Sequence, residues 1–173
     1  MARRWILFLL PLALAAGPTT PDPVRELAGR YSHHFRNGMV TGEKFWSDDV
    51  AEVVPVDATH AYVRFELKFY NGHSCSVAGV AAAAGNELVY RDLGNISGDG
   101  TRCVLHVARK GDRFAWHDED SSCQGYCGAR GGFGGDSMAW STKRPIPYLA
   151  KLKASQTYHD AIQEWHTGKP AQP

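Results

Sequence analysis

Apolar and polar positions alternate along the middle of this chain. Ala61, Val63, Phe65, Leu67 and Phe69 are interleaved with Tyr62, Arg64, Glu66, Lys68 and Tyr70, and a period of two puts the first set on one face of a strand and the second on the other. Asn71-Gly72 follows, a dipeptide that strongly marks a hairpin. Alternation then resumes with Cys75, Val77, Gly79 and Ala81 against Ser74, Ser76 and Ala78. Further strands are predicted at residues 31–36, 50–56, 87–91, 102–108 and 113–117. They are separated by Asn37-Gly38, Asp57-Ala58, Gly85-Asn86, a loop over residues 94–101 and Lys110-Gly111-Asp112. These connections are too short for parallel crossovers, so the expected fold class is mainly β, an antiparallel meander closing into a small barrel or sandwich over residues 30–140.

The flanks have a different period. Asp22 is placed as the N-cap of a helix of one or two turns, with Pro23 at its first position and Gly29 as its terminator; so short a helix needs a packing partner and is expected to plug or cap the barrel. In the tail, residues 141–173, Tyr158, Ala161, Ile162 and Trp165 fall at helical spacing behind Thr157 as cap, and Tyr148, Leu149 and Leu152 predict a shorter helix before it. This tail is expected to dock on the outside of the barrel or to close one end.

Residues 1–16 read as a secretory signal peptide: Arg3 and Arg4, an apolar stretch from Ile6 to Leu14, and the small Ala13 and Ala15 near the cut. Arg3-Arg4 before Trp5 faintly resembles a twin-arginine signal, but disulfide-bearing chains more often leave unfolded by the general route. Residues 17–29 form a Pro- and Thr-rich lead and the short helix. No stretch reaches the roughly 20 apolar residues of a membrane-spanning helix, and no cysteine sits at the cut for a lipid anchor. Loss of Arg3 and Arg4 takes the formal charge from +1 to −1, so no global field favours nucleic acid or anionic lipid. The expected location is periplasmic or secreted.

Export changes the meaning of the cysteines. Cys75, Cys103, Cys123 and Cys127 form an even set, read as two disulfides rather than reactive thiols. Strand directions in a meander bring all four to one end, where three connectivities remain open; our expectation is Cys75 with Cys103 and Cys123 with Cys127. In the run CQGYCGARGGFGG (residues 123–135) the glycines permit the positive φ of a loop folded back on the rim. That leaves Gln124, Tyr126 and Arg130 as candidate partner contacts, against the alternative that the loop only staples the barrel end with Tyr126 and Phe133 packed beneath.

Other motifs carry little chemistry. Gly72-His73-Ser74-Cys75-Ser76 lacks the second glycine and the helix of a hydrolase nucleophile elbow. The eight histidines show no paired ligand spacing, although a zinc site across strands from His106 and His117 is conceivable. Asp118, Glu119 and Asp120 read as a solvated turn rather than a calcium loop. Gly128 to Gly135 match no phosphate-binding pattern. Asn95-Ile96-Ser97 is a glycosylation sequon only in a eukaryotic secretory route. No nucleophile, base and oxyanion donors converge, so neither an enzyme nor a cofactor or metal is expected.

The series Gly29 to Tyr31, NGHSCSVAGVA, ELVYRD, CVLHV and CQGYCGARGGFGG resembles small exported barrel domains of bacterial periplasmic proteins, including lysozyme-inhibitor-like proteins, over roughly residues 30–140. The resemblance implies a non-enzymatic binding protein whose disulfide-pinned loop enters the cleft of a cell-wall hydrolase. One known class of such inhibitors has a histidine between the cysteines, where this chain has Gln124, Gly125 and Tyr126. In such a role Arg130 could pair with two acidic groups of the cleft while Tyr126 fills a sugar subsite. The alternative is a barrel that binds a small apolar ligand in its lumen, which requires that Phe65, Leu67, Phe69 and Trp116 leave the interior open.

Overall fold

The structure, a computed structural model, describes residues 22–94 and 100–170. The expected signal peptide, the lead before residue 22 and the sequon at Asn95 lie outside the described residues. Among the described residues eight antiparallel strands form one sheet in chain order. They are β1 (Gly29–Gly38), β2 (Lys44–Pro55), β3 (His60–Lys68), β4 (Ser74–Ala84), β5 (Glu87–Arg91), β6 (Val104–Lys110), β7 (Arg113–Asp118) and β8 (Asp136–Ala139). The sheet curls into a nearly closed barrel, the expected class. Near its seam Arg30 and Arg144 exchange backbone hydrogen bonds of 2.8 Å in both directions.

Two stretches of strand depart from the alternation. β2 starts at Lys44, ahead of the predicted position, because Ser47 and Asp49 occupy inward positions where no apolar signal marks them. β8 lies in a glycine-flanked stretch that reads as loop, and cross-strand pairing of Met138 with Phe114 and of Asp136 with Trp116 holds it in place.

The inward rings fill the barrel. Tyr31 stacks on Phe114 with centroids 3.9 Å apart, and Phe65 packs edge-on against Trp116 at 5.3 Å and Phe133 at 6.0 Å. Leu67 is buried with them, and Phe69 is partly buried against the same cluster. An apolar guest would have to displace these side chains.

Helix α1 (Pro23–Leu27) is the expected plug: Val24 and Leu27 are buried in the barrel core, and the Tyr31 hydroxyl donates to the Leu27 carbonyl at 3.0 Å. Asp22 caps it by accepting from the Arg25 N–H. Gly29 is not a helical terminator, however. It opens β1 at φ 143°, where an added Cβ would lie 3.1 Å from the Arg144 carbonyl oxygen.

Helices α2 (Leu149–Lys153) and α3 (Gln156–Thr167) dock outside the barrel, α3 lying on β3 and β4. Tyr62, on the outward face by alternation, is therefore buried with Val54, Leu152 and Ala161. The cap of α3 is Ser155 rather than Thr157; its hydroxyl accepts from the Tyr158 N–H. Glu52, outward-facing yet fully buried, accepts from Arg64 at 3.1 Å and from the Tyr148 hydroxyl at 2.5 Å. This buried carboxylate has a cation and a donor, as its desolvation demands, and it ties the tail to the barrel.

Gly79 makes room for Tyr90, since a Cβ there would come 2.1 Å from the Tyr90 ring. Gly79→Ala should lower stability by about 1–3 kcal/mol. Combination with Tyr90→Leu should recover part of that loss in chemical denaturation; additive losses would show that the contact does not limit packing.

Candidate functional site

The four cysteines gather at one end of the barrel, as the strand directions require, but the pairing differs from expectation. The bonds are Cys75–Cys127 and Cys103–Cys123, with Cα separations of 4.0 and 4.3 Å. The strand order explains the correction. β4, which carries Cys75, and β6, which follows Cys103, are not neighbours in the sheet, so no shared ladder brings these two cysteines to the Cα separation that a disulfide needs. Cys123 instead meets Cys103 because the Glu119 N–H bonds to the Val104 carbonyl and the Val104 N–H to the Ser122 hydroxyl, each at 3.0 Å. A short 3-10 turn, Gln124–Tyr126, then carries the chain across to β4.

There the loop is fastened closely. The Gly128 N–H donates to the Ser74 carbonyl at 2.8 Å, beside the bridge of Cys75 with Cys127. A Cβ on Gly131 would lie 2.6 Å from the Cys75 Sγ and 3.2 Å from the Phe69 ring, so only glycine fits. The Gln124 side-chain amide donates to the Gly131 carbonyl at 3.2 Å, and Asp118 accepts from the Cys123 N–H at 3.0 Å.

The three candidate contacts divide into two kinds. Arg130 and Gln124 are exposed, and Arg130 makes no ion pair among the described residues. Tyr126 is half-buried against the core, its hydroxyl 3.2 Å from that of Tyr90. Burial pushes both phenols well above their ordinary range, so they serve as protonated hydrogen-bonding groups that anchor the loop from below. Phe133 is buried, as the stapling alternative has it.

Side chains that sequence reasoning passed over lie beside this loop. Phe35, Arg36, Lys44, Lys68, Phe69 and Tyr70 line a cleft of about 410 Å³ at the barrel mouth. Asn37-Gly38 and Asn71-Gly72 mark two turns at the same end of a meander, so their proximity was readable; the cleft between them was not. A larger cleft, about 470 Å³, lies under the tail between Tyr62, Tyr148 and Leu152, but its guanidinium, Arg64, is already paired with Glu52 and Glu66.

Further along the outer face, His106 places Nδ1 3.0 Å from Glu87 and Nε2 2.8 Å from Glu119, and stacks on His117 at 4.7 Å. Both ring nitrogens therefore face carboxylates, an arrangement that suits the imidazolium rather than a metal ligand. Asp118, Glu119 and Asp120 diverge: the first holds the loop, the second meets His106 and the third is exposed. Among the described residues no group of three His, Cys, Asp or Glu side chains is placed to hold a metal. Cys75 is oxidised and Ser74 sits in a strand rather than on the strand-to-helix turn of a nucleophile elbow. No helix among the described residues is long and apolar enough to cross a membrane, and two formed disulfides fit an oxidising compartment.

Comparison with family models, with curated proteins and with solved structures finds no match.

Burial pulls the His106 pKa down, but hydrogen bonds to Glu119 and Glu87 outweigh it and the net shift is upward. The hydrogen bond from His106 holds Glu119 below its ordinary value. A histidine whose folded pKa is raised contributes stability in full below its unfolded value of about 6.5 and loses it as pH rises through the folded value. Thermal melts should therefore show stability falling from pH 6.5 upward, and His106→Gln should flatten that decline. A His106→Gln profile parallel to the wild type would refute the assignment.

Proposed function

We propose that this chain is an exported, non-enzymatic binding protein, acting in the periplasm or outside the cell as an inhibitor of a cell-wall hydrolase such as lysozyme. Its contact surface is the disulfide-pinned loop. The observation that carries the reading is Arg130, an exposed guanidinium without an ion pair among the described residues. It stands on a loop held by the Cys75–Cys127 bond, by the Gly128 backbone bond and by the close approach of Gly131 to Cys75. A preformed loop lowers the ordering cost of binding, and a guanidinium is the cation best suited to bidentate pairing with carboxylates. Glycosidase clefts present paired carboxylates about 5 to 9.5 Å apart. The resemblance to lysozyme-inhibitor-like barrels supports the same direction.

On this reading Gln124 flanks the guanidinium at the contact. Tyr126 acts as a positioning residue, because its hydroxyl is already engaged with Tyr90, and filling a sugar subsite would require it to leave that partner.

Turbidity assays with a panel of lysozymes and lytic glycosidases supply the test. The wild-type protein should inhibit at least one of them. Arg130→Glu should weaken that inhibition about tenfold or more, equivalent to ~1.4 kcal/mol, without changing the melting temperature. Reduction of the disulfides should weaken it as well. Failure of the wild type to inhibit any enzyme of the panel, or equal inhibition by Arg130→Glu, would end the proposal.

A further inference from the structure

The cleft at the barrel mouth is a surface that the inhibitor reading does not use. Its lining holds three cations, Arg36, Lys44 and Lys68, with three rings, Phe35, Phe69 and Tyr70, and no carboxylate. The Lys68 ammonium reaches Glu66 only at 4.0 Å, with Asp49 held on the Lys68 backbone N–H beside it, and the Arg36 guanidinium lies over the Trp46 ring at 5.5 Å. Among the described residues the three most exposed large apolar side chains are Val40, Trp46 and Tyr70, at 65%, 58% and 45%. Val40 and Tyr70 lie on the two turns that frame this cleft, and Trp46 stands on β2 opposite Arg36. Single exposed apolar residues need no explanation, whereas a cluster at a cationic cleft does.

The frame is rigid. The Tyr70 hydroxyl donates to the Met39 carbonyl at 2.9 Å, and the Val40 N–H donates to the Asn71 side chain at 3.3 Å, so the two turns are laced together. Asn71 holds a left-handed backbone with φ 62°, which asparagine tolerates better than most residues. Little ordering remains for a ligand to impose.

We infer that this cleft binds an anionic glycan, a polysaccharide whose sugar units carry carboxylates. The cations match the carboxylates in charge, and the rings supply apolar surface in the lining against which the C–H groups of a pyranose can pack. An acidic peptide would satisfy the charge but leave that apolar surface without a match. A volume of about 410 Å³ lies in the range that takes a small ligand or a short stretch of chain. The inference stands independently of the hydrolase reading, since Arg130 belongs to the neighbouring loop.

Titration calorimetry with sodium polygalacturonate tests it, with neutral dextran and poly-L-glutamate as parallel arms. Polygalacturonate should bind, dextran should not, and affinity should fall as salt rises. The double variant Lys44→Glu/Lys68→Glu reverses two exposed charges and should weaken binding at least about tenfold. Arg130→Glu should leave it within about twofold at physiological salt, where screening is strong. If the double reversal does not fold, Lys44→Gln and Lys68→Gln, each made alone, carry the same test with smaller losses. Absence of polygalacturonate binding, unchanged affinity in the folded lysine variants, or poly-L-glutamate bound as tightly as polygalacturonate would overturn the inference. The last result would assign the cleft to an acidic protein instead.

Discussion

The structure depends on how the gap beside β4 is sealed. β4 and β5 pair only from Ala81 to Ala84, and toward the cysteine end β4 continues to Ser74 without β5 beside it. An open edge there would leave backbone groups without partners and expose the barrel core. The segment after Cys123 crosses the opening instead: the Cys127 bridge, the Gly128 hydrogen bond and the glycine-only approach of Gly131 close it. Each disulfide removes loop entropy from the unfolded chain worth roughly 3 to 4 kcal/mol in the chain-entropy account. The two together are comparable to the whole net stability of a small domain.

The aromatic core and this seal support each other. Phe133 leaves the loop to pack edge-on against Phe65, and Tyr126 reaches Tyr90, whose ring occupies the space opened by Gly79. The loop is thus an extension of the core rather than an attachment to it. Its buried members set its position, and Gln124 and Arg130 remain exposed. At the opposite end α1 plays the complementary part, closing the barrel with Val24 and Leu27.

The cysteine end therefore carries two adjoining surfaces, a stapled loop with an exposed guanidinium and a cationic, aromatic cleft, with Phe69 at the border of both. Each exposes cationic side chains, Arg130 on the loop and Lys44 and Lys68 in the cleft.

Alternation by itself determined an antiparallel meander and left its closure, as barrel or as sandwich, to the tertiary structure. The strands from His60 to Ala84, the turns at Asn71-Gly72 and Gly111, the plug at Pro23 and both tail helices were legible because period, caps and turn residues act locally. The gathering of the cysteines at one end followed from strand direction, but their pairing did not, because it is set by where the loop after Cys123 crosses to β4. Other features belonged to tertiary structure. Tyr62 read as solvent-facing, and nothing marked Glu52 for burial, because the residues that cover them lie some hundred residues further along the chain. β8 carries no apolar alternation and exists through its pairing with β7. The contact of Tyr126 with Tyr90, which comes from another strand, is also one that no local pattern encodes. Arg36, Lys44 and Lys68 are unremarkable charges until curvature brings two hairpin ends together, for a cleft is a property of how strands close on one another and no local pattern encodes it.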